Sequence, residues 1–356
     1  MSNDKVSLGK TIAYAKTKLP PCSIRYHPSI PNLLFIGTYK LDEVNKKRHG
    51  SIEIYFHSSE NNELTLQQSI NTESAILDLK FSPFEDDLII TGQSTGDISI
   101  WKYIEEVQQL KLIHNERLFD EENLITSIIF SPVHKNRLLI STTEGFAVAL
   151  DITSNGNFTN ILELNSRHDL QCWTGAFGNF AELNNVIFTG GDDGALIAHD
   201  FRTQDQIFNA KRIHNAGVVA IQTATPGDHN GHGDWFVNQP YKLFTGSYDD
   251  EIRDLDLRCI PEVGLVNGLP PRSKSNMNLG GGVWRFQPSV KQGDNRLLTC
   301  CMYDGARIFN SEEFKVEKYY KEKHESMCYG CDWNPNNVGE VATVSFYDNV
   351  LQIWEP

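Results

Sequence analysis

The sequence contains no apolar run approaching the roughly 20 residues that span a bilayer, and its opening stretch, MSNDKVSLGKTIAYAK, has no apolar core of a secretory signal. Neither membrane insertion nor export is expected. Cationic charge is also scarce, with 32 Lys and Arg against 46 Asp and Glu and a formal net charge of -14. Nucleic-acid binders draw most of their affinity from clustered Lys and Arg, so a nucleic-acid partner is not expected, and a cationic substrate group suits this surface better. The seven cysteines are an odd number at scattered positions, which fits a reduced, cytoplasmic setting rather than a disulfide framework. Metal-site spacing is missing too. Cys328 and Cys331 form a C-x-x-C, but residues three apart on a strand face opposite sides and cannot share an ion without a bulge, and adjacent Cys300 and Cys301 diverge likewise. His229 and His232, in DHNGHGDW, read as part of a solvated loop, so no metal or cofactor is expected.

The sequence does contain a sevenfold repeat. Each copy has an apolar strand closing on a Pro-containing turn, a strand of the LLITG type, a Gly/Asp/Asn turn, and an alternating strand ending in an aromatic or Asp. AILDLKFSP...LIITGQSTGDISIW and MCYGCDWNP...VATVSFYDNVLQIW are two of the seven. The closing residues Tyr55, Trp101, Leu150, His199, Leu255, Phe309 and Trp354 lie 46, 49, 49, 56, 54 and 45 apart, near the period of a propeller blade. Alternating units of this kind have two partly apolar faces that only neighbouring blades bury. The fold expected is all-β, a single seven-bladed WD-repeat β-propeller over residues 1–356, with blades at about 17–60, 70–105, 122–155, 168–203, 214–258, 278–311 and 324–356. The last blade lacks an outer strand, and residues 5–16 are predicted to supply it and close the ring. The repeats resemble the WD-repeat family, although the WD dipeptide itself is degenerate here.

In that family a His tied to an Asp in a later turn staples each blade. His168, His214 and His324 with Asp193, Asp249 and Asp348 occupy the matching places, and a structural role is expected for these pairs. GQSTG at 92–96 matches the G-x-S-x-G of hydrolases, but its context is strand, turn, strand rather than strand, turn, helix. Ser94 is therefore read as a hairpin-turn residue. EEVQQLKLIHNERLFDEEN reads as a solvated connector between blades two and three, and RCIPEVGLVNGLPPRSKSNMN as an irregular insertion.

That insertion leads into GGGVWR. Gly280, Gly281 and Gly282 fall at the mouth of the central channel, where bare backbone permits close approach, φ values closed to other residues and free amide donors. Trp284 and Arg285 are expected on opposite faces. Trp284 either fills the inter-blade core or joins Trp173 and Tyr329, which share its register, on one rim.

RHDLQCWTGAF, FTGGDDG, FTGSYDDEIRDLDLR, GGGVWRFQP and HESMCYGCDW, in this order, resemble the diphthine methylesterase (diphthine methyltransferase) family, the WD-repeat enzymes of the diphthamide pathway. The resemblance implies a carboxylic ester hydrolase that removes the methyl ester from methylated diphthine on translation elongation factor 2. It implies a trimethylammonium site among Trp173, Trp284, Tyr329 and Asp332, oxyanion donors from Gly280 to Gly282 and Arg285, and a base that is His168, Asp192 or Asp332. A monomer is expected. The alternative is a non-catalytic scaffold that docks proteins on its rim, the default for a repeat ring without a nucleophile motif.

Overall fold

The computed structural model describes residues 6–154, 156–227, 234–258 and 265–356, so His229 and His232 lie outside it. The chain forms seven antiparallel sheets around one channel, a seven-bladed β-propeller. The innermost strands are Pro21–Tyr26, Ile76–Phe81, Ile125–Phe130, Cys172–Phe177, Val218–Thr223, Val283–Pro288 and Cys328–Trp333. Each lies against the next, and the seventh lies against the first.

Ring closure follows the sequence expectation. Lys10–Lys16 pairs antiparallel with Val350–Glu355 and completes the last blade. Ser7–Leu8 adds a contact that periodicity does not reveal, running parallel to Lys315–Tyr320 on the outer edge of blade six. Two segments differ from expectation. Gln109–Arg117 is the outer strand of blade two and Arg272–Asn278 that of blade five. Gln109–Arg117 exposes Leu112 and Ile113 among charged and polar residues, and Arg272–Asn278 is almost wholly polar, so the apolar alternation that marks inner strands is lost, and pairing to one neighbour defines them instead.

Packing repeats as the strands do. Seven apolar clusters, one between each pair of adjacent blades, form the core. The cluster that closes the ring joins Ala342, Val344, Leu351 and Ile353 to Ile24, Leu34 and Ile36, with Ala13 of the N-terminal strand 3% exposed among them. Ala13→Asp is expected to cost about 1–3 kcal/mol, because the strand can detach rather than bury the charge. The freed edge of Val350–Glu355 should then drive self-association, visible as a lower Tm and earlier elution from a sizing column.

Blade stapling by His–Asp pairs holds in two of three cases. His168 Nδ1 is 2.9 Å from Asp193 and His214 Nδ1 is 3.0 Å from Asp249, while their Nε2 atoms meet Thr189 and Thr245. His324 meets Thr343 at 2.7 Å, but its Nδ1 has no partner, and Asp348 instead accepts the Glu325 N–H. Ser94 is a fully buried turn residue whose hydroxyl accepts the Ala75 N–H at 3.1 Å, as the hairpin reading requires.

One irregularity recurs in every blade. Each innermost strand slips register at its second residue, so Cys22, Leu77, Thr126, Trp173, Val219, Trp284 and Tyr329 are all bulged. A bulge re-aims the side chain it carries, and here it does so around one end of the channel.

Candidate functional site

Three of the seven bulged residues are large aromatics, and they come together. Trp284 is the hub. Its ring lies 5.5 Å from Trp173 at 63°, 5.3 Å from Tyr329 at 42°, and 5.8 Å from Tyr248 in a near-parallel stack at 25°. Tyr329 continues the array to Phe346, and Phe346 to Tyr347. The rosette expected of Trp173, Trp284 and Tyr329 is thus formed. Trp284 also packs against the core between blades six and seven, so the two readings of that residue meet in one side chain.

The triglycine turn beside the rosette is held by its backbone conformation. Gly280, Gly281 and Gly282 have φ of 79°, 74° and 75°, values that L side chains rarely adopt. A Cβ on Gly281 would stand 2.7 Å from Asp304, and one on Gly282 would stand 3.7 Å from the Tyr248 ring. The expectation of free amide donors fails for two of the three, because Gly280 N–H donates to Asn278 and Gly282 N–H to Asp250.

Donors without acceptors occur instead on side chains. The indole N–H groups of Trp173 and Trp284 and the Nε–H of Arg285 are buried and unpartnered, and all three residues line the central cavity of about 390 Å³. Trp284 and Arg285 therefore do not diverge as strict alternation predicts, since the bulge at Trp284 turns both toward the channel. Arg285 reaches across the channel from blade six to Asp78 of blade two, at 3.0 Å.

The acidic candidates separate. Asp192, in the turn between the second and third strands of blade four, lies close against Gly217, where a Cβ would meet its Oδ1 at 2.8 Å. It adjoins the rosette, with the Trp173 indole N–H toward its carboxylate without closing a hydrogen bond. Burial and the neighbouring Asp193 raise its pKa, against the pull of Trp173. His168 has both ring nitrogens committed to Asp193 and Thr189, which leaves no lone pair for proton abstraction. Asp332 is not in the rosette. It lies three residues beyond Tyr329, about 10 Å further down the same strand, where it accepts the Tyr26 N–H at 2.8 Å.

Burial pushes the Asp332 carboxyl up to about 6, although Arg25 and Lys80 oppose this. Its folded pKa therefore exceeds its ordinary value of 3.8, and the folded form holds the proton more tightly across that interval. The resulting stabilisation is present below pH 4 and is lost as pH rises through 6. Asp332→Asn should accordingly gain on the parent protein between these limits, a trend that urea unfolding at pH 4, 5, 6 and 7 will reveal or refute.

The cysteine expectation needs one correction. The bulge at Tyr329 brings Cys328 and Cys331 into one inter-blade cluster with Cys300, whereas Cys301 faces the other interface, as expected of adjacent residues. Burial pushes the Cys300 and Cys331 thiols well above the usual range, so they behave as small core groups. Among the described residues, the one group with metal-ligand proximity is His214, Asp249 and Glu251. The ring nitrogens of that His are already bonded to Asp249 and Thr245.

No family model matches the chain. It is 38% identical to the diphthine methyltransferase of Saccharomyces cerevisiae, with 99% of each chain covered, and 32% identical to that of Schizosaccharomyces pombe, with 95% of each covered. The chain belongs to the diphthine methyltransferase family. A diphthine methyltransferase homolog of Dictyostelium discoideum shares 25% identity over 94% of this chain.

In this diphthine methyltransferase family member, sequence reasoning passed over Tyr248, Asp78, Lys80 and Arg25. Tyr248 occupies the same turn position in blade five as Asp192 in blade four, a correspondence readable in FTGSYDD beside FTGGDDG. The other three carried no local signal.

Proposed function

We propose that this protein acts in diphthamide biosynthesis as a methylesterase, hydrolysing the methyl ester of methylated diphthine on translation elongation factor 2. The observation that carries this reading is the rosette of Trp173, Tyr248, Trp284 and Tyr329 beside the partly buried carboxylate of Asp192. A trimethylammonium group is held by aromatic faces and a nearby carboxylate, and desolvation strengthens that hold. The ester of such a substrate is attached to the carbon that bears the ammonium, so its carbonyl lies within the same pocket as the unpartnered N–H groups of Trp284 and Arg285, while the Trp173 N–H is directed to Asp192. The Trp284 and Arg285 groups stabilise the developing oxyanion. Asp192, its pKa raised, serves as the base that activates water, and His168 holds the adjoining turn through Asp193. Gly282 lies against Tyr248, and its N–H, donated to Asp250, ties the triglycine turn to the turn that carries that ring.

Setting and partner belong to the same reading. No helix of the described residues is long and apolar enough to cross a membrane, and the described cysteines are free thiols, which supports a cytoplasmic protein. Tyr303 and Tyr347, 61% and 71% exposed, flank the rosette and favour a macromolecule docking on this face. They are equally the observation that favours a scaffold without chemistry.

Purified protein incubated with elongation factor 2 bearing methylated diphthine should remove the mass of one methylene from the modified peptide and release methanol. An unchanged mass, with the substrate shown to be intact and methylated, rejects hydrolysis and leaves the scaffold.

A further inference from the structure

The channel wall below the rosette has a charge balance opposite to that of the protein as a whole. Five charged side chains line the cavity: Arg25, Lys80 and Arg285 against Asp78 and Asp332. On a chain of formal charge -14, a buried surplus of cations is unexpected, because an uncompensated charge away from water is costly.

Nor do the two carboxylates balance the cations evenly. Asp78, 0% exposed, already accepts from Lys80, Arg285, and the N–H groups of Leu79 and Ile128. Asp332 accepts the Tyr26 N–H and, raised by burial to about 6, is still mostly ionised near neutral pH, so the cations outnumber the carboxylates by one at most. On the cationic side, Arg285 Nε–H has no acceptor, and Asp78 is the one acceptor found for the Lys80 ammonium among the described residues. Arg25 bonds through Nη1 to the Ile24 and Cys331 carbonyls, which fixes the guanidinium on the wall without neutralising it. The positive field is felt within the cluster itself. Burial, Arg25 and Arg285 together bring Lys80 down to about 7, with Asp78 only partly offsetting them.

We propose that this part of the channel binds a small oxyanion, a carboxylate or a phosphate, between Arg25, Lys80 and Arg285. The cavity extends from the rosette to the strand ends at Pro28, Pro132 and Pro288, so such a ligand enters from the face opposite the proposed ester site. Low-dielectric walls concentrate the field of the two guanidinium groups on an anion there, and the anion in turn favours protonated Lys80, whose ammonium then joins them in charge-assisted hydrogen bonds to its oxygens. The site goes beyond the esterase reading: Arg285 borders both regions, whereas Arg25 and Lys80, on which the test rests, belong to the anion site alone.

Lys80 reports occupancy directly. The wild-type protein is treated near neutral pH with a small amine-reactive reagent, in malonate, phosphate or chloride at equal ionic strength, and modification of each lysine is followed by mass spectrometry. At ten times its dissociation constant, a bound anion should slow labelling of Lys80 about tenfold and leave exposed lysines unchanged. Protection by malonate alone identifies a carboxylate site, and protection by phosphate alone a phosphate site. Arg25→Gln should weaken the effective anion by about tenfold or more, the loss of one charge-assisted contact, at unchanged Tm in chloride. Should that variant fail to fold, the wild-type labelling decides alone. Equal labelling of Lys80 in all three salts overturns the proposal, whatever the outcome of any turnover assay.

Discussion

Asp78→Ala is expected to destabilise the protein by about 3–5 kcal/mol, the range for breaking a buried ion pair from one side. The substitution removes a carboxylate with no exposed surface and strands Arg285, whose guanidinium bonds to it at 3.0 Å, together with Lys80 at 3.1 Å. It also leaves the Ile128 N–H without its acceptor inside blade three. Burial opposes ionisation of Asp78, but Arg285, Lys80 and Arg25 hold its carboxyl well below the usual range, so the charge is present at neutral pH. Replacing both ends, as in Asp78→Leu with Arg285→Met, should recover only part of the loss, because an apolar pair removes the stranded guanidinium but leaves Lys80 without its acceptor. Urea unfolding of the two single variants and the double variant measures the coupling. Single variants within about 1 kcal/mol of the parent protein would show that water in the channel, rather than the pair, solvates these groups.

Trp284→Ala should lower kcat/KM for methyl ester hydrolysis by about 10³–10⁴-fold. Two losses combine. Removing the hub of the rosette takes away a desolvated cation–π face worth roughly 2 kcal/mol. Removing an unpartnered N–H in the cavity takes away a donor whose counterparts elsewhere contribute about 10²–10³ in rate. Trp284→Phe separates them, since it keeps a ring against Tyr248 and Tyr329 but has no N–H. It should hold KM near that of the parent protein while kcat falls. A correctly folded Trp284→Ala protein with full turnover would remove the rosette from the proposed site.

What the sequence revealed and what it concealed divide by the range of the interaction. Seven repeats, and the missing outer strand of the last, are local patterns that a chain displays by itself, and Lys10–Lys16 pairs with Val350–Glu355 accordingly. The aromatics Trp173, Trp284 and Tyr329 were legible because they share one register, and the recurrent bulge converts that register into proximity. Outer strands such as Gln109–Arg117 escaped because their outward residues are solvated. Asp78 and Arg285 are 207 residues apart, and Arg25, Lys80 and Asp332 look like ordinary polar members of alternating strands. Only closure of the ring turns them toward one another. The amides of Gly280 and Gly282 were misjudged for a related reason: Asn278 and Asp250 reach them from outside the motif.

The pairing of Lys10–Lys16 with Val350–Glu355 also sets a timetable for biogenesis. Ribosomes deliver the former strand ahead of its mate by more than 300 intervening residues, so the earlier segment must wait, unpaired, until the later one is made. Early blades can collapse as they emerge, but the circle cannot lock before the later strand has followed them, and until then the edge that strand will cover stays open to solvent.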